Sequence, residues 1–74
     1  MIVAVLGAGL MGKEAARDLV LSPNVDKVLL CDLDVGQAKM FKERLQNSKI
    51  EVLRLDANED DSIRKIMKEA DVVI

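Results

Sequence analysis

Five consecutive apolar residues, Ile2-Val3-Ala4-Val5-Leu6, leave no polar position to face water on either side of a strand. A strand of that kind is covered on both faces, the situation of a parallel sheet sandwiched between helices. The residues after Leu6 narrow the choice further. The run ends on Gly7-Ala8-Gly9-Leu10-Met11-Gly12, and helical spacing begins at once, with Met11, Ala15 and Leu19 in line and Ala16 and Val20 beside them. Gly7 makes the tight turn, Gly9 removes the side chain that would hold backbone away from a pyrophosphate, and Gly12 lets the helix lie close to the strand. The first helical turn then offers N–H groups and a positive partial charge to the phosphates, so no basic residue is required. Three glycines at this spacing also occur as ordinary turns. The preceding strand, the following helix and Asp32, twenty residues past Gly12, together single out a dinucleotide site.

The remaining chain repeats the alternation. Ser22-Pro23-Asn24 stops the first helix, because the residue before proline avoids helical angles and Asn favours turns. Val28 to Cys31 is a second apolar strand, closed by Asp32. Asp34-Val35-Gly36-Gln37 has the form of a capping box, with Asp34 as N-cap and Gln37 reaching back to it. Ala38, Phe41 and Leu45 mark the buried face of the helix it opens, which ends at Gln46-Asn47-Ser48. Ile50 to Leu55 is a third strand whose Glu51 and Arg54 place it at a sheet edge. Asn58 to Asp61 leads into Ile63, Ile66, Met67 and Ala70, an amphipathic stripe, and Asp71 to Ile74 opens a fourth strand.

The order β-α-β-α-β-α-β predicts an α/β fold: a Rossmann-type, doubly wound parallel sheet in its first half, with strand order 3-2-1-4. The first two helices are expected on one face and the third on the other. The direction of winding then reverses beside Gly7 to Gly12, where open α/β sheets bind ligands. Because the pattern halts on a strand, residues 1–74 are expected to be the N-terminal part of a dinucleotide-binding domain, with its remainder and a substrate domain absent. The bare strand from Asp71 to Ile74 is expected to favour self-association.

Composition removes several classes. The 74 residues carry a net charge of −2, with no Trp or Tyr and one Phe, so neither a basic patch nor a stacking platform for nucleic acid is available. Cys31 is a single cysteine inside an apolar run and there is no His, which excludes a disulfide framework and leaves no zinc set. No apolar run approaches the ~20 residues needed to span a bilayer, and the apolar start lacks a basic n-region. A cytoplasmic protein without membrane or nucleic-acid partners is expected.

Asp32 would accept hydrogen bonds from the adenosine ribose hydroxyls, and its charge would repel a 2′-phosphate, favouring NAD over NADP. Asp34 adds negative charge but is read as the helix cap, and Leu33 supplies no arginine to neutralise a phosphate. Asp56, with the Ala57 backbone alongside, stands where it could bond the adenine amino group; turn chemistry accounts for the same residue. Glu59, Asp60 and Asp61 are read as acids favoured by the helix dipole rather than as a metal site. Lys13 is read as an exposed lysine, although it could reach a phosphate. No nucleophile–base pair is identifiable, so no catalytic residue is assigned.

With these residues placed, the chain resembles the N-terminal segment of the saccharopine dehydrogenase and lysine dehydrogenase-like family. The resemblance rests on V-L-G-A-G-L-M-G at Val5 to Gly12, V-D-K-V-L-L-C-D at Val25 to Asp32, L-D-A at Leu55 to Ala57 and A-D-V-V-I at Ala70 to Ile74. It implies NAD(P)-linked oxidation or reduction at an amino-acid-type carbon–nitrogen bond, on a small-molecule substrate held by a domain outside this chain. The chain alone would then be inactive. It also implies that Gly7, Ala8, Gly9, Leu10, Met11 and Gly12 hold the pyrophosphate. Asp32 and Leu33 would serve the ribose side, and Asp56 and Ala57 the adenine. Many relatives carry arginine where this chain has Leu33. Regulatory nucleotide-binding domains of potassium transport systems share the glycine pattern, the strand-end acids and A-D-V-V-I, and sense NAD or another nucleotide without catalysis. They usually carry Gly-Asp after the third strand and A-G-I before the last, where this chain has Leu55-Asp56 and Lys68-Glu69-Ala70. Methyltransferases usually pair a G-x-G-x-G loop with an acid in the first strand, and flavin folds often replace a helical crossover by a meander.

Overall fold

The computed structural model describes residues 1–7, 9–56 and 58–74, and for Leu10 and Met11 the backbone alone. Seven elements alternate along it: β1 (Ile2–Leu6), α1 (Leu10–Val20), β2 (Lys27–Asp32), α2 (Val35–Leu45), β3 (Ile50–Arg54), α3 (Asp60–Glu69) and β4 (Val72–Val73). The strands form one parallel sheet in the order β3-β2-β1-β4. Both the topology and the edge position of β3 agree with the sequence reading.

The period-two geometry of a strand explains why β1 and β2 are apolar throughout. Val3, Val5, Val28 and Leu30 point to one side, where they pack with Ala16 and Val20 of α1 and Ala38 and Phe41 of α2. Ala4, Leu29 and Cys31 point to the other side, against Ile66 of α3. The two faces are therefore unequally covered, by two helices and by one. That inequality corrects the expected stripe on α3: Ile66 is buried, but Met67 is 62% exposed, because among the described residues no second helix flanks α3 to cover it.

Local signals set the element ends. α1 stops before Pro23 by tightening, as the Leu21 and Ser22 N–H groups donate to carbonyls three residues back (3.2 and 3.1 Å). α2 has no glycine at its exit, and Gln46 takes the left-handed conformation there (φ 49°), at a cost of roughly 1 kcal/mol. At its entry the Asp34 side chain accepts the Gln37 N–H (3.1 Å), as expected of an N-cap. The reciprocal half of the capping box differs from expectation. The Asp34 N–H donates to Asp32 Oδ1 (2.8 Å), which lies in place ahead of the helix, rather than to the Gln37 side chain. On the β3 side, Lys27 and Glu51 pair across adjacent strands at 3.1 Å, both half exposed, a contact worth at most ~1 kcal/mol.

β4 is short but well anchored. The Asp71 and Ile74 N–H groups donate to the Ile2 and Ala4 carbonyls (both 2.8 Å), and Leu6 N–H donates to Ile74 O (3.0 Å). The Asp71 carboxylate also accepts the Ile2 N–H (2.7 Å). Its outer side is open: Val72, Val73 and Ile74 are 44%, 40% and 59% exposed.

Candidate nucleotide-binding site

The site begins where β1 ends. Gly7 adopts φ +97°, a conformation that L-residues other than glycine rarely take, and its N–H donates to Cys31 O (2.6 Å). The turn is thereby tied to the strand that carries Asp32. Gly9 is the N-cap of α1, extended (φ −67°, ψ −178°), with no side-chain cap and no acid in the first helical turn. A Cβ built on Gly9 meets nothing within 4 Å. The N-terminus of α1 is thus open in front and not neutralised by an acid of its own first turn, as an anion requires. Gly12 behaves differently. A Cβ there would stand 2.0 Å from the Gly7 carbonyl oxygen, so the helix can approach the turn only because this residue has no side chain.

Asp32 stands at the C-terminal end of β2, half buried, with its Oδ1 holding the Asp34 N–H and its carbonyl accepting from Leu55 N–H (3.1 Å). Asp56 is half buried in the turn that leads to α3. Its Oδ1 accepts the Asn58 N–H and its carbonyl accepts the Glu59 N–H, each at 2.9 Å. The turn role anticipated for Asp56 is therefore present, and it occupies one carboxylate oxygen. Leu33 is exposed.

Gly7, Asp32, Leu33 and Asp56 line one cleft of about 380 Å³ at the C-terminal end of the sheet. Leu6, Cys31, Leu55, Asn58 and Ile63 complete its walls, and these the sequence reading had not assigned to the site. Leu55 and Ile63 carried a usable signal, since both flank the turn at Asp56. Gly9 and Gly12 stand beside this cleft in the α1 entry. Ala8 and Ala57 lie outside the described residues, as do the side chains of Leu10 and Met11. A larger hollow of about 680 Å³, lined by Lys39, Lys42 and Gln46 among others, sits at the opposite end of α2 from Asp34. The glycine turn and the strand-end acid converge at the smaller cleft instead.

Two other candidates are a buried thiol and the acidic start of α3. Cys31 is fully buried, and its thiol is pushed up to about 11, by burial first and by the Glu69 charge second. It remains a neutral thiol near pH 7 and is no nucleophile there. Asp60 and Asp61 occupy the first turn of α3, and Glu59 accepts the Ser62 hydroxyl (3.2 Å). Among the described residues no group of three or more His, Cys, Asp or Glu could hold a metal ion, and no helix is long and apolar enough to cross a membrane.

Comparisons with known proteins identify the family and the fold. A family model described as the saccharopine dehydrogenase NADP binding domain matches residues 3–74. Among solved structures, the apo histidine-tagged saccharopine dehydrogenase (L-Glu forming) from Saccharomyces cerevisiae superimposes with a TM-score of 0.81 at 19% identity, over 97% of this chain. At that identity the likeness is one of fold. The match covers 15% of the yeast chain, so the present chain corresponds to a small part of that protein. Of the readings raised from the sequence, the family match falls on the dehydrogenases and lends no support to the transport regulators.

Proposed function

Because the chain belongs to the saccharopine dehydrogenase NADP-binding-domain family, we propose that it holds the cofactor of an oxidoreductase acting on an amino-acid-type carbon–nitrogen bond, with NAD bound ahead of NADP. One observation carries the reading: the Gly7 turn and the Asp32 carboxylate line the same cleft, beside the uncapped start of α1. The bound nicotinamide would supply hydride acceptance or donation. The chain's own residues bind and orient. The first turn of α1 faces the pyrophosphate, with Gly9 leaving the approach clear, and the Asp32 carboxylate accepts from the ribose hydroxyls. The Asp34 N–H holds one oxygen of that carboxylate and so orients it. Substrate-binding and catalytic groups are assigned to a domain outside this chain.

NAD is placed first because Asp32 disfavours a 2′-phosphate and Leu33 offers no compensating charge. Titration of the chain with NAD+ and NADP+ tests this, with NAD+ expected to bind more tightly. Asp32→Asn is expected to weaken NAD+ by about tenfold, the size of one charge-assisted hydrogen bond, and to narrow the gap between the cofactors. Tighter binding of NADP+ by the unaltered chain would refute the role given to Asp32.

The open side of β4 supports a second, smaller proposal. Val72, Val73 and Ile74 expose apolar side chains along the outer edge of the sheet, an arrangement that invites strand addition by a second copy. Sedimentation equilibrium should show a concentration-dependent dimer that Val73→Lys suppresses. A monomer at all concentrations would dismiss it.

A further inference from the structure

Lys13 is not the fully exposed lysine expected from the sequence. It is half buried between α1 and α2, where with Gln37, Met40, Phe41 and Arg44 it lines a notch of about 220 Å³. A longer groove of about 510 Å³ shares Lys13, Phe41 and Arg44 with the notch and adds Glu14, Arg17 and Leu45. Together the two hollows run along α2 from Gln37 to Leu45, about 12 Å of helix at ~1.5 Å per residue. That direction leads away from Asp34, at the entry of α2, and among the described residues no residue lines both this groove and the cofactor cleft.

The groove is positive in a chain that is not. Lys13, Arg17 and Arg44 meet one acid, Glu14, among the residues lining it, whereas the whole chain carries a net charge of −2. Among the described residues no ion pair engages any of these three cations. The floor is apolar: Phe41 is 5% exposed and Leu45 half buried, while Met40, which lines the notch, is 58% exposed. Arginine, methionine and aromatic residues are the types that protein interfaces concentrate, and complementary charge selects the partner. Nucleic acid would need a ring on which to stack, and the one aromatic residue of the chain is sunk into this floor. A bilayer would need a broad apolar face, and Met40 is the one large hydrophobic residue exposed among those described along the groove. Lys13 and Arg17 are four residues apart on α1, one above the other. A helix laid in the groove would meet them with acids at the same spacing and set an apolar residue over Phe41.

We propose that the groove between α1 and α2 docks a short acidic amphipathic helix of a partner protein, with carboxylates on Lys13, Arg17 and Arg44 and an apolar side chain in the notch beside Met40. About two turns of helix fill its length. The surface is separate from the cofactor cleft and does not depend on the nucleotide reading. A partner seated there covers neither the Gly7 turn nor Asp32, so the chain is held by another protein while its cleft stays accessible.

The test follows the fluorescence anisotropy of a dye-labelled peptide built from Glu and Leu at helical spacing, titrated with the full chain at low salt. The same peptide with Lys in place of Glu, and a single-stranded oligonucleotide, are the comparison probes. Because the chain is net negative, general attraction does not favour an acidic probe, and binding of the Glu peptide reports a local positive surface. Lys13→Gln and Arg44→Gln are each expected to weaken that peptide by about threefold, and Lys13→Glu with Arg44→Glu together by about tenfold or more. Lys65→Glu, on α3 across the sheet, should change it by less than about twofold, and binding should fall as salt is raised. Saturating NAD+ should leave the peptide bound. Melting followed by circular dichroism checks that each variant is folded, and the three probes compared on the unaltered chain need no variant. No detectable binding of the Glu peptide overturns the proposal. So does binding of the Lys peptide or the oligonucleotide as tight as that of the Glu peptide, equal weakening by Lys65→Glu, or displacement of the peptide by NAD+.

Discussion

Gly12→Ala is expected to lower the melting temperature of this chain by roughly 8–16 °C, although alanine is the better helix former. In a helix interior the exchange gains ~1 kcal/mol of propensity. Here the added methyl would stand 2.0 Å from the Gly7 carbonyl oxygen, a backbone atom that cannot rotate aside. Relief requires α1 to move off the turn by more than an ångström, as an order of magnitude, and overpacking of that kind costs ~3 kcal/mol or more. The net loss is then ~2 kcal/mol, against a total stability of only ~4–11 kcal/mol for a domain this small, and each kcal/mol is worth ~4–8 °C. Thermal unfolding followed by circular dichroism measures the effect. A variant that melts at or above the unaltered chain would show that the approach of α1 to the turn is not tight.

Gly9→Val is expected to do the opposite: leave the fold intact and abolish nucleotide binding. Gly9 has φ −67° and ψ −178°, angles open to any residue, and a Cβ there meets nothing within 4 Å. The fold therefore has no use for the missing side chain, and valine at an N-cap costs little relative to glycine, at most ~1 kcal/mol. A pyrophosphate does have a use for it. Its oxygens must come within hydrogen-bond distance of the N–H groups at the start of α1, and an isopropyl group would hold them off. Loss of two such charge-assisted bonds corresponds to at least ~100-fold in affinity. Calorimetric titration with NAD+, beside a melting curve, separates the two effects. Retained binding in a folded Gly9→Val variant would move the phosphates away from this turn. Gly12 thus serves packing, while Gly9, three residues before it, is left for the ligand proposed above.

Most of the fold, and the glycine turn and strand-end acid of the site, were legible because they are written in neighbouring residues. The unbroken apolar runs of β1 and β2 announce strands covered on both faces. The switch to helical spacing after Gly7, Pro23 beyond α1 and the Asp34 cap mark the ends of elements through interactions that span four residues or fewer. Right-handed crossovers then leave few arrangements, among them the observed strand order β3-β2-β1-β4.

What the tertiary structure alone decided concerns residues far apart in the chain. Helical spacing on α3 marks Met67 as core, yet it is exposed, since how many helices share a face is not a property of α3. The partner of the Asp34 N–H turned out to be Asp32 because the end of β2 is aimed at the helix start. Lys13 looked like a solvated lysine until α2 was laid beside α1 and enclosed it with Phe41 and Arg44. Local hydrogen bonding and periodicity act over one turn or one strand and can be read in order along the chain. Enclosure depends on which elements become neighbours, and that is settled only when the sheet is wound and both its faces are filled.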